Sequence, residues 1–349
     1  MQNPTGVLEL GKEYPPPGED AVIAELERIS VELLKRDYPA NVRPARRDAH
    51  AKHHGCVKGK LSIEADLPIA LKVGIFKEPR HYPALIRFSN GDRHAQDDTK
   101  GDTRGIAIKL LGVEGEKVLE SEKHEQTQDF TLVNHPVFAI RDAQDYLELF
   151  QLLIKGGNKL KFFFPGINPR QWRLHEFKIA TTINRKKIIS PLEIQYWSMT
   201  PYQLGTGAAK FSVKPQVVGV APKAIPKSPH YLHTAMVNHL ATQEARFDFL
   251  VQLQTDPYRM PIEDPTIAWD EAVSPYQKVA TLTIPPQAFD SPEQMAFCEN
   301  LSYSPWHSLP EHKPLGGINR VRKHIYESIA RLRHEMNNVP YQEPTDSTI

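Results

Sequence analysis

The 349-residue chain reads as an α+β protein built on an antiparallel β-barrel core with surrounding helices. Three observations carry that expectation. Short apolar segments with period-two alternation cluster over 56–111 and recur at 210–218, 245–254 and 279–284, without the regular strand–helix alternation of a parallel sheet. Helical periodicity is confined to 21–35, 139–155 and 318–336. Thirty prolines against 19 glycines imply many stiff, extended connections and few long uninterrupted helices.

The elements follow in order. Residues 1–20 form an extended arm ending in Pro15, Pro16 and Pro17. Val22, Ile23, Leu26, Ile29, Leu33 and Leu34 repeat at helical spacing over 21–35, with Asp20 placed to cap the N-terminus. Leu61 and Ile63 alternate with polar neighbours, and strands follow at 70–76, 84–88 and 106–110. The helix at 139–155 stops at Gly156 and Gly157. Residues 158–190 are basic and punctuated by Pro and Gly, a mixture of loop and helix. Of the later strands, 210–218 contains Pro215 and is expected at a sheet edge. A loop at 312–317 precedes the helix at 318–336, and the chain divides into the arm 1–20, one domain over 21–336 and a flexible tail over 337–349.

Composition limits the function classes. The 43 basic and 42 acidic residues nearly cancel, so no field suited to nucleic acid is present and no nucleic-acid partner is expected. Cys56 and Cys298 are far apart and form no CxxC pair, which excludes a zinc ribbon or thioredoxin-type site and leaves two buried free thiols as the expectation. No charged N-terminal region precedes an apolar run, and no segment approaches 18 consecutive apolar residues. The expectation is a cytoplasmic protein with no integral membrane segment. No Walker A or GxGxxG sequence occurs, and the adjacent His53 and His54 belong to no HExxH motif. The aromatic stretch at 196–205 suits either a lipid-sized channel or core plus turn, and the basic run at 185–187 reads as a solvated loop.

The last helix carries the least ordinary constellation. Arg322, Tyr326, Ile329 or Ala330, and Arg333 share one helix face. A phenol flanked by two guanidinium groups is biased toward the phenolate. Phenolate is a hard anionic ligand suited to ferric iron, and tyrosine is an axial ligand in some haem enzymes. A basic surface helix with Tyr326 half-buried fits the same spacing. Three further stretches are chemically suggestive: 47–52 with His50, a residue type able to shuttle protons near neutral pH; 87–91 followed by 101–109; and 134–142. Each alone is also an ordinary strand-and-turn sequence.

In this order, RDAHAK (47–52), RFS (87–89), GDTRGIAIK (101–109), NHPVFAIRD (134–142) and RKHIYESIARLR (322–333) together resemble the haem catalase superfamily. The match is dense over 47–150, looser over 310–335 and weak over 158–300, and it looks like a short catalase-related protein without the C-terminal extension of the large catalases. The resemblance implies a catalase-like barrel and bound haem b. It places His50 as the distal histidine, Asn134 as the distal asparagine, and Ser89 as the serine orienting His50. Tyr326 becomes the iron ligand and Arg322 the residue that keeps it ionised. Arg47, Arg87 and Arg333 become the clamps on the haem propionates, a task suited to bidentate guanidinium geometry. His50 would move a proton from the inner to the outer peroxide oxygen while Asn134 holds the peroxide.

Departures from the catalase pattern bear on the substrate. His324 and Ser328 replace an aromatic and an acid around the proximal tyrosine; Asp102 keeps the channel acid. Gly91, Ala49, Ala139 and Leu147 all stand where the pattern has bulkier or aromatic residues, which implies a roomier distal side. The expected activity is therefore a haem-dependent peroxidase or hydroperoxide-converting enzyme for organic hydroperoxides, fatty-acid hydroperoxides included, and/or hydrogen peroxide. A true catalase, a haem-dependent monooxygenase or isomerase, and a non-catalytic haem or lipid carrier remain as alternatives, and assembly into a homo-oligomer is allowed.

Overall fold

A computed structural model of the chain describes residues 6–217, 219 and 224–345. Those residues form nine strands and seven α-helices. Helix α1 (Glu19–Asp37) is followed by β1 (His53–Ile63), β2 (His81–Asn90), β3 (Arg104–Leu111) and β4 (Thr127–Val133). Helices α2 (Ala143–Ile154), α3 (Leu160–Phe163) and α4 (Leu174–Arg185) lead to β5 (Tyr196–Trp197), β6 (Tyr202–Leu204) and β7 (Gly207–Pro215). Then come α5 (Tyr231–Leu240), β8 (Ala245–Leu253), β9 (Gln277–Ile284), α6 (Pro292–Asn300) and α7 (Gly317–Asn337).

Every strand pairing is antiparallel, in the order β5-β4-β3-β2-β1-β9-β8-β7, and β5 pairs back onto β7. Eight strands thus close into a barrel, with β6 lying outside the ring as a hairpin partner of β7. Closure removes the unpaired edges of an open sheet. The two residues of β5 achieve it: Trp197 lies opposite both Val133 of β4 and Ser212 of β7, and Tyr196 lies opposite Val213 of β7.

Alternation along each strand separates the two faces of the barrel. Val57, Leu61, Ile86, Phe88, Ile106, Ile108, Phe130 and Leu132 join one buried apolar core. At its centre the Phe130 ring packs edge-on, 5.1 Å from Phe211 and 4.9 Å from Phe249. Burying each such ring stabilises the fold by roughly 1.5–3 kcal/mol. The intervening residues Arg87, Ser89, Gly105, Ala107 and Thr131 therefore fall on the outer face of the barrel, and that face meets α7. Helix α7 buries Ile318, Val321, Arg322, Ile325, Ile329 and Arg333 at helical spacing. Val321, Ile325 and Ile329 pack on Ile23, Leu26 and Leu33 of α1. Its N-terminal end is tied to the arm by Arg320, whose guanidinium meets Glu13 at 2.6 Å, Glu19 at 2.5 Å and Glu263 at 2.8 Å.

Several local expectations are corrected. Residues 70–76 form no strand; Pro68 and the left-handed Gly74 (φ 54°) leave two 3-10 turns, Ile69–Leu71 and Gly74–Phe76. Strand β7 is not an edge strand: it pairs with β5, β6 and β8, and Pro215 is tolerated because it is the last residue of the ladder. Position 218 of the expected 210–218 strand lies outside the described residues. Helix α2 starts later than residue 139, where the Asp142 carboxylate caps it by accepting from the Asp145 N–H. Helix α1 is preceded by a left-handed Gly18 rather than capped by Asp20. The tail is not free over its described part: Glu343 is buried against Lys109 and Thr127. Residues 1–5 of the expected arm and 346–349 of the expected tail lie outside the described residues.

Candidate functional site

A cavity lies between α7 and the outer face of β2, β3 and β4, with about 1110 Å³ of atom-free space, mouth included. Its wall brings together Arg47, His50, Arg87, Ser89, Arg322, Tyr326 and Arg333, all singled out in the sequence. Among the described residues no group of three or more His, Cys, Asp or Glu is placed to hold a metal ion, so an iron here would depend on a different ligand set.

His50 precedes β1 in the left-handed region, with φ 57°, a conformation costly for a residue with a side chain. Three contacts hold it there. Its N–H donates to the Gly91 carbonyl at 3.1 Å, its own carbonyl accepts from Arg87 at 2.8 Å, and its Nδ1 lies 2.9 Å from Ser89 Oγ. The ring packs over Gly105, where an added Cβ would stand 2.6 Å from His50 Cε1. Burial, reinforced by the charges of Arg87, Arg322 and Arg47, lowers the His50 pKa to about 3. The imidazole is thus neutral near pH 7, with Nδ1 engaged and Nε2 left to take up or deliver a proton.

Tyr326 enters the same cavity from α7. Its phenolic oxygen accepts from Arg322 at 3.0 Å, one helical turn earlier, and the guanidinium carbon stands 5.0 Å from the ring centroid. Arg322 is itself fixed by Thr131 of β4 at 2.7 Å and by Asn319 at 3.1 Å. Burial opposes the charge on Arg322, yet the neighbouring Tyr326 and Tyr202 oxygens hold its pKa above the ordinary value. The arrangement fixes the Arg322 guanidinium on the Tyr326 oxygen at the wall of the cavity.

Arg47, Arg87 and Arg333 form a third feature. Arg47 and Arg333 share the Glu299 carboxylate, at 3.2 and 3.8 Å, and both donate to the Leu301 carbonyl. Arg87 has no carboxylate partner in this group, and Nε of both Arg87 and Arg333 lacks a hydrogen-bond partner among the described residues. Burial first, then the Arg47 charge, lowers Arg87 to about 10 and Arg333 to about 9. Two buried cations, Arg87 and Arg333, beside the half-buried Arg47, with one carboxylate between Arg47 and Arg333 and donors unused, suit a ligand that brings further carboxylates. That chemistry, together with a phenolic oxygen that accepts from Arg322 in the same cavity, fits haem b.

Other residues are placed differently from expectation. Asn134 is not among the cavity-lining residues; its side-chain oxygen accepts the Arg104 N–H at 2.9 Å and secures the start of β3. Leu147 packs against α1 and α7 instead of facing the cavity; the aromatic at the cavity is Tyr146, one residue earlier on α2. Ala139 packs with Val137, Ile179 and Ile183, while Phe138 lines the cavity. At Gly91 the missing side chain opens no space, because a Cβ would lie 2.8 Å from Thr103 Cβ. Of the four small residues, Ala49 alone lines the wall. Asp102 is buried and accepts from the Asp92 N–H at 3.1 Å, away from the cavity lining.

Residues not anticipated include Asp48, Thr131, Tyr146 and Tyr303 in the cavity wall, and Glu299 against Arg47 and Arg333. Burial pushes the Asp48 carboxyl up to about 6. Thr131 was legible in principle, since Asp129 and Thr131 alternate with Phe130 and Leu132 in a half-buried strand pattern. Glu299 and Tyr303 lie in a stretch without recognisable motifs and reach the site only through long-range packing.

No protein-family model matches the chain, and no curated protein matches it in sequence. Solved structures do match. A fungal catalase superposes with TM-score 0.66 and 19% identity, covering 95% of this chain and 66% of its own. A bacterial catalase gives 0.62 and 18%, covering 97% and 67%, and catalase A from Saccharomyces cerevisiae gives 0.63 and 16%, covering 98% and 72%. The chain has a catalase-like fold and spans about two thirds of the length of these structures.

Proposed function

We propose that this chain is a haem-dependent oxidoreductase that cleaves the O–O bond of peroxides, with organic hydroperoxides as substrates alongside hydrogen peroxide. The carrying observation is that His50, held neutral on Ser89, and Tyr326, hydrogen-bonded by Arg322, face one cavity flanked by Arg47, Arg87 and Arg333. Tyr326 would ligate the iron, and the three arginines would hold the haem carboxylates. When bound, the haem would supply the redox chemistry of O–O cleavage, which a tyrosinate oxygen ligand would promote.

The chain's own residues account for the proton movement. His50 Nε2 takes the proton of an incoming hydroperoxide and returns it to the departing oxygen, so that an alcohol or water leaves instead of an anion. Ser89 and Gly105 fix the ring plane for both transfers. Phe138 and Tyr146 exclude water from the approach and give it an apolar character. Those same two aromatics also favour a second reading, a true catalase, because they occupy space that the small residues were expected to free. Steady-state kinetics of the haem-loaded chain with cumene hydroperoxide and hydrogen peroxide decide between them. The proposal expects higher kcat/KM for cumene hydroperoxide and a fall of about 100-fold or more in His50→Ala, the scale of general acid–base catalysis. Rapid oxygen evolution with preference for hydrogen peroxide returns the second reading, and unchanged turnover in His50→Ala contradicts the mechanism.

A further inference from the structure

Charge is distributed unevenly along the chain. Residues 155–189 hold nine lysines and arginines and a single acid, Glu176, whereas the whole chain has a formal net charge of +1. Lys155, Lys159, Lys161, Arg170, Lys178 and Lys187 are exposed and meet no carboxylate among the described residues. Glu176 is buried, and Asp145 and Glu148 of α2 are held by Arg173, at 3.0 and 2.5 Å. Large apolar side chains stand in water in the same stretch: Ile167 is 99% exposed, Leu174 57%, Leu160 51% and Trp172 36%. Single apolar residues are common on protein surfaces, but four within residues 160–174, set among unpaired cations, mark an interaction site.

The stretch is firmly built. The Arg173 N–H donates to the Phe163 carbonyl at 2.9 Å and closes 163–173 into a loop between α3 and α4. Trp172 Nε1 donates to the Gly166 carbonyl at 2.8 Å, and the Phe164 ring meets Trp172 edge-on at 5.5 Å and Phe177 at 4.9 Å. Beneath them Phe162 is buried with Ile140 and Ile318, and Phe138 and Tyr146 of the cavity wall pack on that same cluster. The aromatic rings therefore hold the loop, while Ile167, near its middle, takes no part in the packing.

We propose that the α3–α4 loop is a docking surface for an anionic lipid bilayer, with Ile167, Leu160, Leu174 and Trp172 entering the headgroup region and the surrounding lysines and Arg170 meeting lipid phosphates. Apolar side chains gain by leaving water, an indole suits the interface, and lysine stems can lie along the apolar boundary with their charges outward. Each basic group near an anionic leaflet adds about fivefold to partitioning. Two other occupants match the surface less well. A symmetric contact with a second copy would set these cations against themselves. An extended polyanion would pair the cations but leave Ile167 and Leu174 in water. The docking surface is separate from the peroxide-cleaving function, although both are anchored on the packing around Phe138 and Tyr146.

Co-sedimentation of the full chain with lipid vesicles tests the proposal, using phosphatidylcholine alone and phosphatidylcholine with an equal part of phosphatidylglycerol. Binding is expected to the mixed vesicles only, and is expected to weaken as salt is raised. Ile167→Asn removes a side chain that lies almost wholly in water, so it is expected to leave the thermal melt unchanged and to bind at least about tenfold more weakly. The double variant Lys159→Gln, Lys161→Gln is expected to bind about 25-fold more weakly. Parent-like binding by Ile167→Asn would show attraction by charge alone and overturn the insertion. Absence of binding by the parent to mixed vesicles overturns the bilayer assignment, and a parent dimer in light scattering that Ile167→Asn separates then gives the loop to a second copy. Binding is read without turnover, so none of these results depends on peroxide cleavage.

Discussion

Replacing Gly105 by alanine adds one methyl group beneath the His50 imidazole. The backbone of Gly105 needs no positive φ, so the effect is one of contact alone. The new Cβ would stand 2.6 Å from His50 Cε1, 2.7 Å from its Nδ1 and 3.0 Å from Ser89 Oγ. Carbon atoms rest at about 3.5–4.0 Å, so the ring must retreat by about 1 Å or tilt. Retreat lengthens the 2.9 Å contact to Ser89 and shifts Nε2 from its place in the cavity. Overpacking of this kind costs about 1–3 kcal/mol of stability, while a misplacement of ~1 Å at a reacting group costs about 100-fold in rate. Gly105→Ala is therefore expected to fold, to retain haem, and to lose about 100-fold in hydroperoxide kcat, measured by stopped-flow absorbance beside a thermal melt. A variant with normal haem content and kcat within twofold of the parent refutes the claim that Gly105 sets the position of His50.

Three further outcomes follow from the same structure. His312 is buried, accepts the Ile75 N–H at 3.1 Å, and is lowered by burial to about 3. Its unfolded form takes up a proton from about pH 6.5 downward while the folded form does not, so stability falls with pH between about 6.5 and 3; between pH 7 and pH 5 this one group costs about 2 kcal/mol, read as a lower urea midpoint at pH 5 and a smaller drop in His312→Asn. Glu343 joins Asp129 in neutralising the buried Lys109, so Glu343→Ala is expected to destabilise by about 3 kcal/mol in urea titration; no change would show that the described tail contributes nothing. Gly91→Val should lower the melting temperature through its clash with Thr103 yet leave the ratio of kcat/KM for cumene hydroperoxide over hydrogen peroxide unaltered, and a changed ratio would return Gly91 to the substrate path.

The sequence was most legible where the chemistry is local. Arg322 and Tyr326 are four residues apart on one helix, so their contact follows from helical geometry alone, and Ser89 and Arg87 alternate on one strand face. Long-range placement was less legible. Glu299 of α6 reaches Arg47 across 252 residues of sequence, and no spacing rule connects them. Leu147 shows how a single residue of register matters on a helix. Ala143 and Leu147 face α1, whereas Tyr146, about 100° away around α2, faces the cavity. Asn134 shows the opposite difficulty: an adjacent residue, Val133, lines the cavity, while the asparagine oxygen is drawn off to the Arg104 backbone. The 3-10 turns at 69–76 looked strand-like because apolar residues there cover the barrel end, a tertiary cause that alternation cannot distinguish from strand burial.

The central proposal is that Tyr326, supported by Arg322, would ligate the iron of a haem held by Arg47, Arg87 and Arg333. Absorption titration of the purified chain with ferric haem b tests it most directly, run in parallel on Tyr326→Phe. The account predicts one haem per chain with a high-spin, tyrosinate-type spectrum, and a variant that binds at least about tenfold more weakly or gives a different spectrum. Identical affinity and an identical spectrum in Tyr326→Phe, or no saturable binding by the parent, would contradict it.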